Sequence, residues 1–136
     1  MKEAYGTAVS ADPAATGAEH SITISNGPII LVGFSVALVT DANAANRQVK
    51  FSFEDASGRV FQYAVSGGTQ AASLTRQYAG RIAEYASPAV ADTLFTVSLP
   101  TGGIWLPENA VIKTVTTSIQ ATDNWGVLTY QFKRPE

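Results

Sequence analysis

Apolar and polar residues alternate along most of this chain, and the period is two. From Ile29 to Thr40 the even positions Ile30, Val32, Phe34, Val36 and Leu38 are all large and apolar, while the odd positions are mixed. A run of that kind predicts a long strand buried on one face and half-covered on the other. Gln48 to Glu54 puts Val49, Phe51 and Phe53 on one face. Asp55-Ala-Ser-Gly58 then offers turn residues, with Gly58 available for positive φ. Val60 to Val65 alternates again through Phe61, Tyr63 and Val65. Residues 48–65 therefore predict a β-hairpin, with Phe51, Phe53, Phe61 and Tyr63 in the core beside Val36 and Leu38.

The same period recurs elsewhere. His20 to Ile24 places Ile22 and Ile24 together, and Asn26-Gly27-Pro28 signals a turn. Thr93 to Leu99 aligns Phe95, Val97 and Leu99. Ile104-Trp-Leu106 is a short apolar run. Val111 to Gln120 sets Val111, Val115 and Ile119 inward. Trp125 to Phe132 aligns Leu128, Tyr130 and Phe132. Residues 69–92 read two ways. Leu74, Tyr78, Ile82 and Tyr85 sit at helical spacing, yet Leu74, Arg76 and Tyr78 alternate as in a strand. A strand at about 70–79 followed by a loop to 92 is the preferred reading. Residues 1–19 carry few large apolar side chains and no period. They predict an extended N-terminal arm, held by a neighbouring subunit or a larger assembly, ahead of one domain over 20–136. The fold class expected is all-β, a jelly-roll-like β-sandwich of about eight antiparallel strands.

Composition narrows the function. Charged residues make up 15%, and the net charge is −2. The surface must be largely uncharged, which suits shared interfaces, and no basic stripe points to nucleic acid. Lys133-Arg134 is the nearest approach to one and reads as a solvated tail. Cysteine is absent, so stability must come from packing or partners. The start, Met1-Lys2-Glu3-Ala4-Tyr5, leads into no apolar run of the kind a signal peptide needs. The Ile29–Val39 stretch is too short for a membrane helix.

Candidate chemistry is sparse. His20 is the sole histidine and reads as a surface or interface residue. Gly33-Phe34-Ser35-Val36-Ala37 loosely follows a nucleophile elbow, but Ser35 falls inside a strand rather than at a strand-to-helix turn. Asp41, Asn43, Asn46, Asp123 and Asn124 could offer oxygens to calcium, yet their spacing is that of turns. Glu54, Glu84, Glu108, Asp55, Asp92 and Asp123 are the carboxylates available for glycoside hydrolysis, and none has a distinctive context. Gly67-Gly68 and Gly102-Gly103 lack what a phosphate loop needs after them. Trp105 and Trp125 could stack on sugar rings or simply pack. The expectation is no enzyme, no catalytic or metal residues and no cofactor.

Two stretches carry a resemblance. One is Leu38-Val-Thr-Asp-Ala-Asn-Ala-Ala-Asn-Arg-Gln-Val49, continued by Phe53-Glu-Asp-Ala-Ser-Gly58 and Gln70-Ala-Ala-Ser73. The other runs from Trp105-Leu-Pro-Glu-Asn109 through Ala121-Thr-Asp-Asn-Trp125. Together they resemble small jelly-roll structural proteins of tailed-bacteriophage virions over roughly residues 30–130. Asn109 and Thr122 depart from the pattern, standing where glycine is expected. The resemblance implies a virion protein, in first place a capsid decoration (cement) protein on the outer head surface, made in the host cytoplasm. It implies the major capsid protein or other virion proteins as partners, and self-association as a homotrimer, with no nucleic acid or membrane. The alternative is a tail, fibre or neck module that binds a host glycan or another virion protein.

Overall fold

A computed structural model describes residues 4–10, 16–25, 27–82, 87–91 and 94–135. Among them lie twelve strands and no helix: β1 (Ala4–Val9), β2 (Ser21–Thr23), β3 (Ile29–Val39), β4 (Arg47–Glu54), β5 (Val60–Gln70), β6 (Thr75–Ile82), β7 (Ser87–Ala91), β8 (Leu94–Leu99), β9 (Ile104–Leu106), β10 (Val111–Thr117), β11 (Asn124–Trp125) and β12 (Thr129–Arg134). They form two sheets. Sheet A runs β1-β12-β3-β6-β8-β7, with β9 and β11 also paired to β3, and sheet B runs β2-β10-β4-β5. The all-β sandwich expected from the alternation is what forms. It has twelve strands rather than eight, and the β6–β8 pair is parallel.

The apolar filling lies between the sheets. Phe34 of sheet A meets Phe51 of sheet B with ring centroids 4.6 Å apart. Tyr78 and Trp125 pack near them in a tilted pair, 5.8 Å apart. Val36, Leu38, Val49, Phe51 and Phe53 are fully buried, as the alternation predicts. Tyr78 keeps a polar handle satisfied by donating its hydroxyl to Gln70 Oε1 at 2.8 Å, and burial pushes that phenol up from its ordinary value.

Four expectations fail, each for a local reason. On β3 the buried face changes parity. Ile29 and Leu31 are core, Ile30 and Val32 are only half-buried, and the even positions take over from Phe34. β12 skips a residue here, pairing Gln131 with Gly33 and Phe132 with Leu31. Val32 is thus the extra residue of a bulge, and a one-residue slip turns the following side chains over. On β5 the pairing of Phe51 with Ala64, and of Ser52 with Tyr63, sends Ala64 inward and Tyr63 outward. Phe61 falls at the register shift between Phe53 and Glu54. Phe61, Tyr63 and Val65 are 47%, 47% and 43% exposed, so Phe61 and Tyr63 are not core. On β10 the parity is inverted: Ile112, Thr114 and Thr116 face the core, while Val111 and Val115 are half-buried. Their partners Phe53, Phe51 and Val49 on β4 fix this, because cross-strand neighbours share a face. Finally, the strand after the hairpin occupies 75–82 instead of 70–79, and residues 87–91 are a strand where a loop was expected.

The N-terminal segment also finds a different partner. Residues 4–9 pair antiparallel with β12 of the same chain, from Ala4 opposite Arg134 to Val9 opposite Thr129. Phe95, placed inward by its spacing, and Tyr85 have side chains outside the described residues.

Candidate functional site

The residues singled out for chemistry are occupied structurally. His20 is buried, not a surface residue. Its Nε2 lies 2.8 Å from Ser10 Oγ, which also accepts the Leu128 N–H at 3.0 Å. This clasp ties the segment after β1 to β2 and to the start of β12. Ser35 lies mid-strand on the outer face of sheet A and accepts a hydrogen bond from Gln77 Nε2. The carboxylates are dispersed. Glu54 pairs with Lys113 at 2.8 Å, Asp55 with Arg59 at 2.9 Å, and Asp123 with Arg47 at 2.8 Å. Glu108 is exposed, and Glu84 and Asp92 lie outside the described residues. No three potential metal ligands gather among the described residues.

Two buried polar centres went unsignalled in the sequence. Arg47 is fully buried. Its Nε and one terminal nitrogen fork onto Asp123 at 2.9 and 2.8 Å, and that nitrogen also reaches Asp41 at 2.9 Å. Its other terminal nitrogen donates to the Asn43 and Ala45 carbonyls. The Thr122 hydroxyl donates to Asp41 at 2.6 Å. That bond above all lowers the Asp41 carboxyl to about 2. Burial opposes ionisation of Asp123, but the Arg47 fork and the Asp41 and Gln120 amides together outweigh it and hold this carboxyl below its ordinary value. Asp41 and Asp123 are thus ligands of the Arg47 guanidinium. The second centre is Glu19. Its carboxylate accepts from the Thr114 and Thr116 hydroxyls at 2.9 Å, the Thr116 amide at 2.6 Å and Trp125 Nε1 at 3.2 Å. This is why threonines can face the core on β10.

What remains open to a partner is the two outer faces. On sheet B, Val65, Lys50 and Val115 form one cross-strand row, and Tyr63, Ser52 and Lys113 the next. Lys50 Nζ stands 4.3 Å from the Tyr63 ring centroid. Ser52 Oγ is buried beneath this face without a hydrogen-bond partner. Val60 and Phe61 extend the apolar part along β5, the edge strand of this sheet. On sheet A the outer face dips into a groove of about 460 Å³ over Gly33, bordered by Ser35, Gln77, Arg81, Thr129 and Gln131 and by the apolar Val32 and Ala79. The two tryptophans separate: Trp125 is completely buried, whereas Trp105 is 53% exposed. Only Trp105 can meet a ligand.

No family model matches this chain, and no curated protein sequence matches it. In structure it is similar to a chain from the structure of infectious bursal disease virus Gx strain, with a TM-score of 0.50 and 10% identity over 98% of this chain. A chain from the crystal structure of the T13 particle of the same virus gives 0.47 and 13% identity over 97%. This chain spans about a third of the length of those virus chains, 32% and 31%. At 10% identity the first likeness is one of fold: this chain shares its β-sandwich architecture with a chain found in a virus structure.

Proposed function

We propose that this chain is a structural protein of a tailed-phage virion, a decoration or cement protein that seats on the head shell and stabilises it. The observation that carries the reading is the outer face of sheet B, where Phe61, Tyr63 and Val65 are exposed beside Lys50 and Lys113. Aromatic residues in an exposed cluster, with few charges to desolvate, are what protein interfaces favour. The fold shared with a virus-structure chain and the resemblance of residues 30–130 to phage structural proteins agree with it. In this reading the partner is the major capsid protein, the working unit is a homotrimer, and the chain acts by assembly without cofactor or catalysis. It is made in the host cytoplasm and ends on the outer head surface. Residues 1–19 are the arm and 20–136 the body. The arm's strand β1 covers the β12 edge, which would otherwise offer unpaired backbone groups.

The test is co-sedimentation of the purified protein with emptied heads, together with heat stability of the heads. The full chain should co-sediment and raise the temperature of head disruption. A Phe61→Ser/Tyr63→Ser variant, folded by circular dichroism, should lose both effects. Equal binding by that variant, or no binding by the parent, would refute the reading. A second reading, a tail, fibre or neck module that binds a host glycan, is favoured by one observation, the exposure of Trp105 on the opposite face.

A further inference from the structure

Trp105 and the groove over Gly33 belong to one surface. Ile104 and Leu106 are buried while Trp105 is exposed, so β9 turns Trp105 to the outer face of sheet A. Trp105 pairs with Ile30 of β3, and Arg81 of β6 pairs with Gly33 on the same flank of β3. Only Leu31 and Val32 lie between the two rows, and because Val32 is the bulge residue, β12 covers the same interval in two steps, Gln131 to Lys133. At roughly 3.3 Å per residue, the two rows are about 7 Å apart along the strand, a span on the scale of two linked sugar rings.

At the Arg81 row and beyond it, away from Trp105, the surface is low, with polar side chains set beside Val32 and Ala79. Gly33 is flanked on one side by Arg81 and on the other by Gln131. A Cβ at Gly33 would come within 3.4 Å of Gln131 Oε1 and 3.3 Å of the Gly80 carbonyl, so any side chain here would fill the floor. Ser35 and Thr129 form the next row, and Gln77 reaches Ser35. None of the described residues bordering the groove is acidic. The exposed Arg81 makes no ion pair among the described residues.

We propose that this face binds a carboxylate-bearing oligosaccharide. Trp105 supplies the flat apolar surface on which one ring stacks. Arg81 takes the carboxylate through its planar fork. Gln131, Thr129 and the Ser35–Gln77 pair exchange hydrogen bonds with the hydroxyls, over a floor kept open by Gly33. A neutral sugar would leave Arg81 without its counter-charge. The ligand class rests on the glycan reading above, but not on where the chain sits in the particle.

Titration of the full-length protein with trigalacturonic acid and 3′-sialyllactose tests this, followed by calorimetry and tryptophan fluorescence. Maltotriose and lactose serve as neutral controls, and a short poly-glutamate peptide as the non-sugar acid. At least one acidic sugar should bind at least tenfold more tightly than the neutral controls and should shift the emission of Trp105. Arg81→Gln and Trp105→Ala, both at exposed positions, should each weaken binding at least tenfold. Head co-sedimentation should be unchanged in both variants. Neutral and acidic sugars binding alike through Trp105 would overturn the acidic assignment while leaving glycan binding intact. Binding of the peptide with no dependence on Trp105, or no binding of any sugar at millimolar concentration, would overturn the site itself.

Discussion

Arg47→Met isolates the largest buried electrostatic commitment in this fold. Methionine keeps most of the stem volume, so little cavity forms, but every guanidinium donor is removed. Asp123, itself fully buried, is left with two backbone donors, the Asp41 amide at 2.8 Å and the Gln120 amide at 2.8 Å. Removing one partner of a buried pair costs about 3–5 kcal/mol, because the other charge stays behind unpaired. The Asn43 and Ala45 carbonyls also lose their donor. For a domain whose total stability is on the order of 5–15 kcal/mol, that is about a fifth or more. Adding Asp123→Leu removes the orphaned charge and should restore part of the loss. Recovery should be incomplete, since two buried amides then lack acceptors at about 1–3 kcal/mol each. Urea titration followed by tryptophan fluorescence reads this directly through the buried Trp125. A loss below about 0.5 kcal/mol for Arg47→Met, the range of surface substitutions, would refute the assignment of Arg47 as the organising charge.

Three further outcomes follow from the same packing and charge pairs. Phe51→Ala should cost about 3–5 kcal/mol, and Tyr63→Ala about 0.5 kcal/mol or less; equal losses in urea titrations would mean the hairpin faces are misassigned. The Asp41, Asp55 and Asp123 carboxyls are all held below their ordinary value of 3.8. Their contribution is therefore present above about pH 4 and lost as pH falls through the folded values, about 2 for Asp41. Melting temperatures taken between pH 5 and pH 2 should fall across that window, and Asp41→Asn should fall less. Ser10→Ala removes the clasp between His20 and the Leu128 amide; hydrogen exchange over residues 4–9 should accelerate while exchange in β4 stays unchanged.

How much of this was legible depended on whether alternation met an uninterrupted ladder. Val49, Phe51 and Phe53 sit in a strand paired to β10 without a slip, and the extra residues of its ladder with β5 fall on β5, so their inward direction reads straight from the sequence. Val32 and Phe61 lie at bulges, which leave no mark on a hydrophobic pattern. The bulge at Val32 inverts the parity along β3, and Ile30 was misread for that reason; on β5 the large side chains Phe61, Tyr63 and Val65 share the outer face, and the small Ala64 opposite Phe51 is the one that turns inward. β10 misled differently: its core face carries Thr114 and Thr116, whose hydroxyls are satisfied by Glu19 from more than ninety residues away in sequence. A carboxylate in a featureless Ala/Gly segment gave no sign of that role. Arg47, Asp41 and Asp123 were similarly hidden among turn residues, although all three fall within the two stretches that carry the phage resemblance. The departures from that resemblance make local sense. Asn109 takes φ 66°, a left-handed conformation that asparagine tolerates best after glycine, and Thr122 contributes the hydroxyl that holds Asp41.

The central claim concerns which face meets the virion, and a cryo-electron map of the intact particle tests it most directly. The account predicts density for this chain on the outside of the head, with Phe61, Tyr63 and Val65 against the shell and Trp105 turned to solvent. A particle that lacks the chain, or a map with the Trp105 face against the shell and the β5 face open, would contradict it.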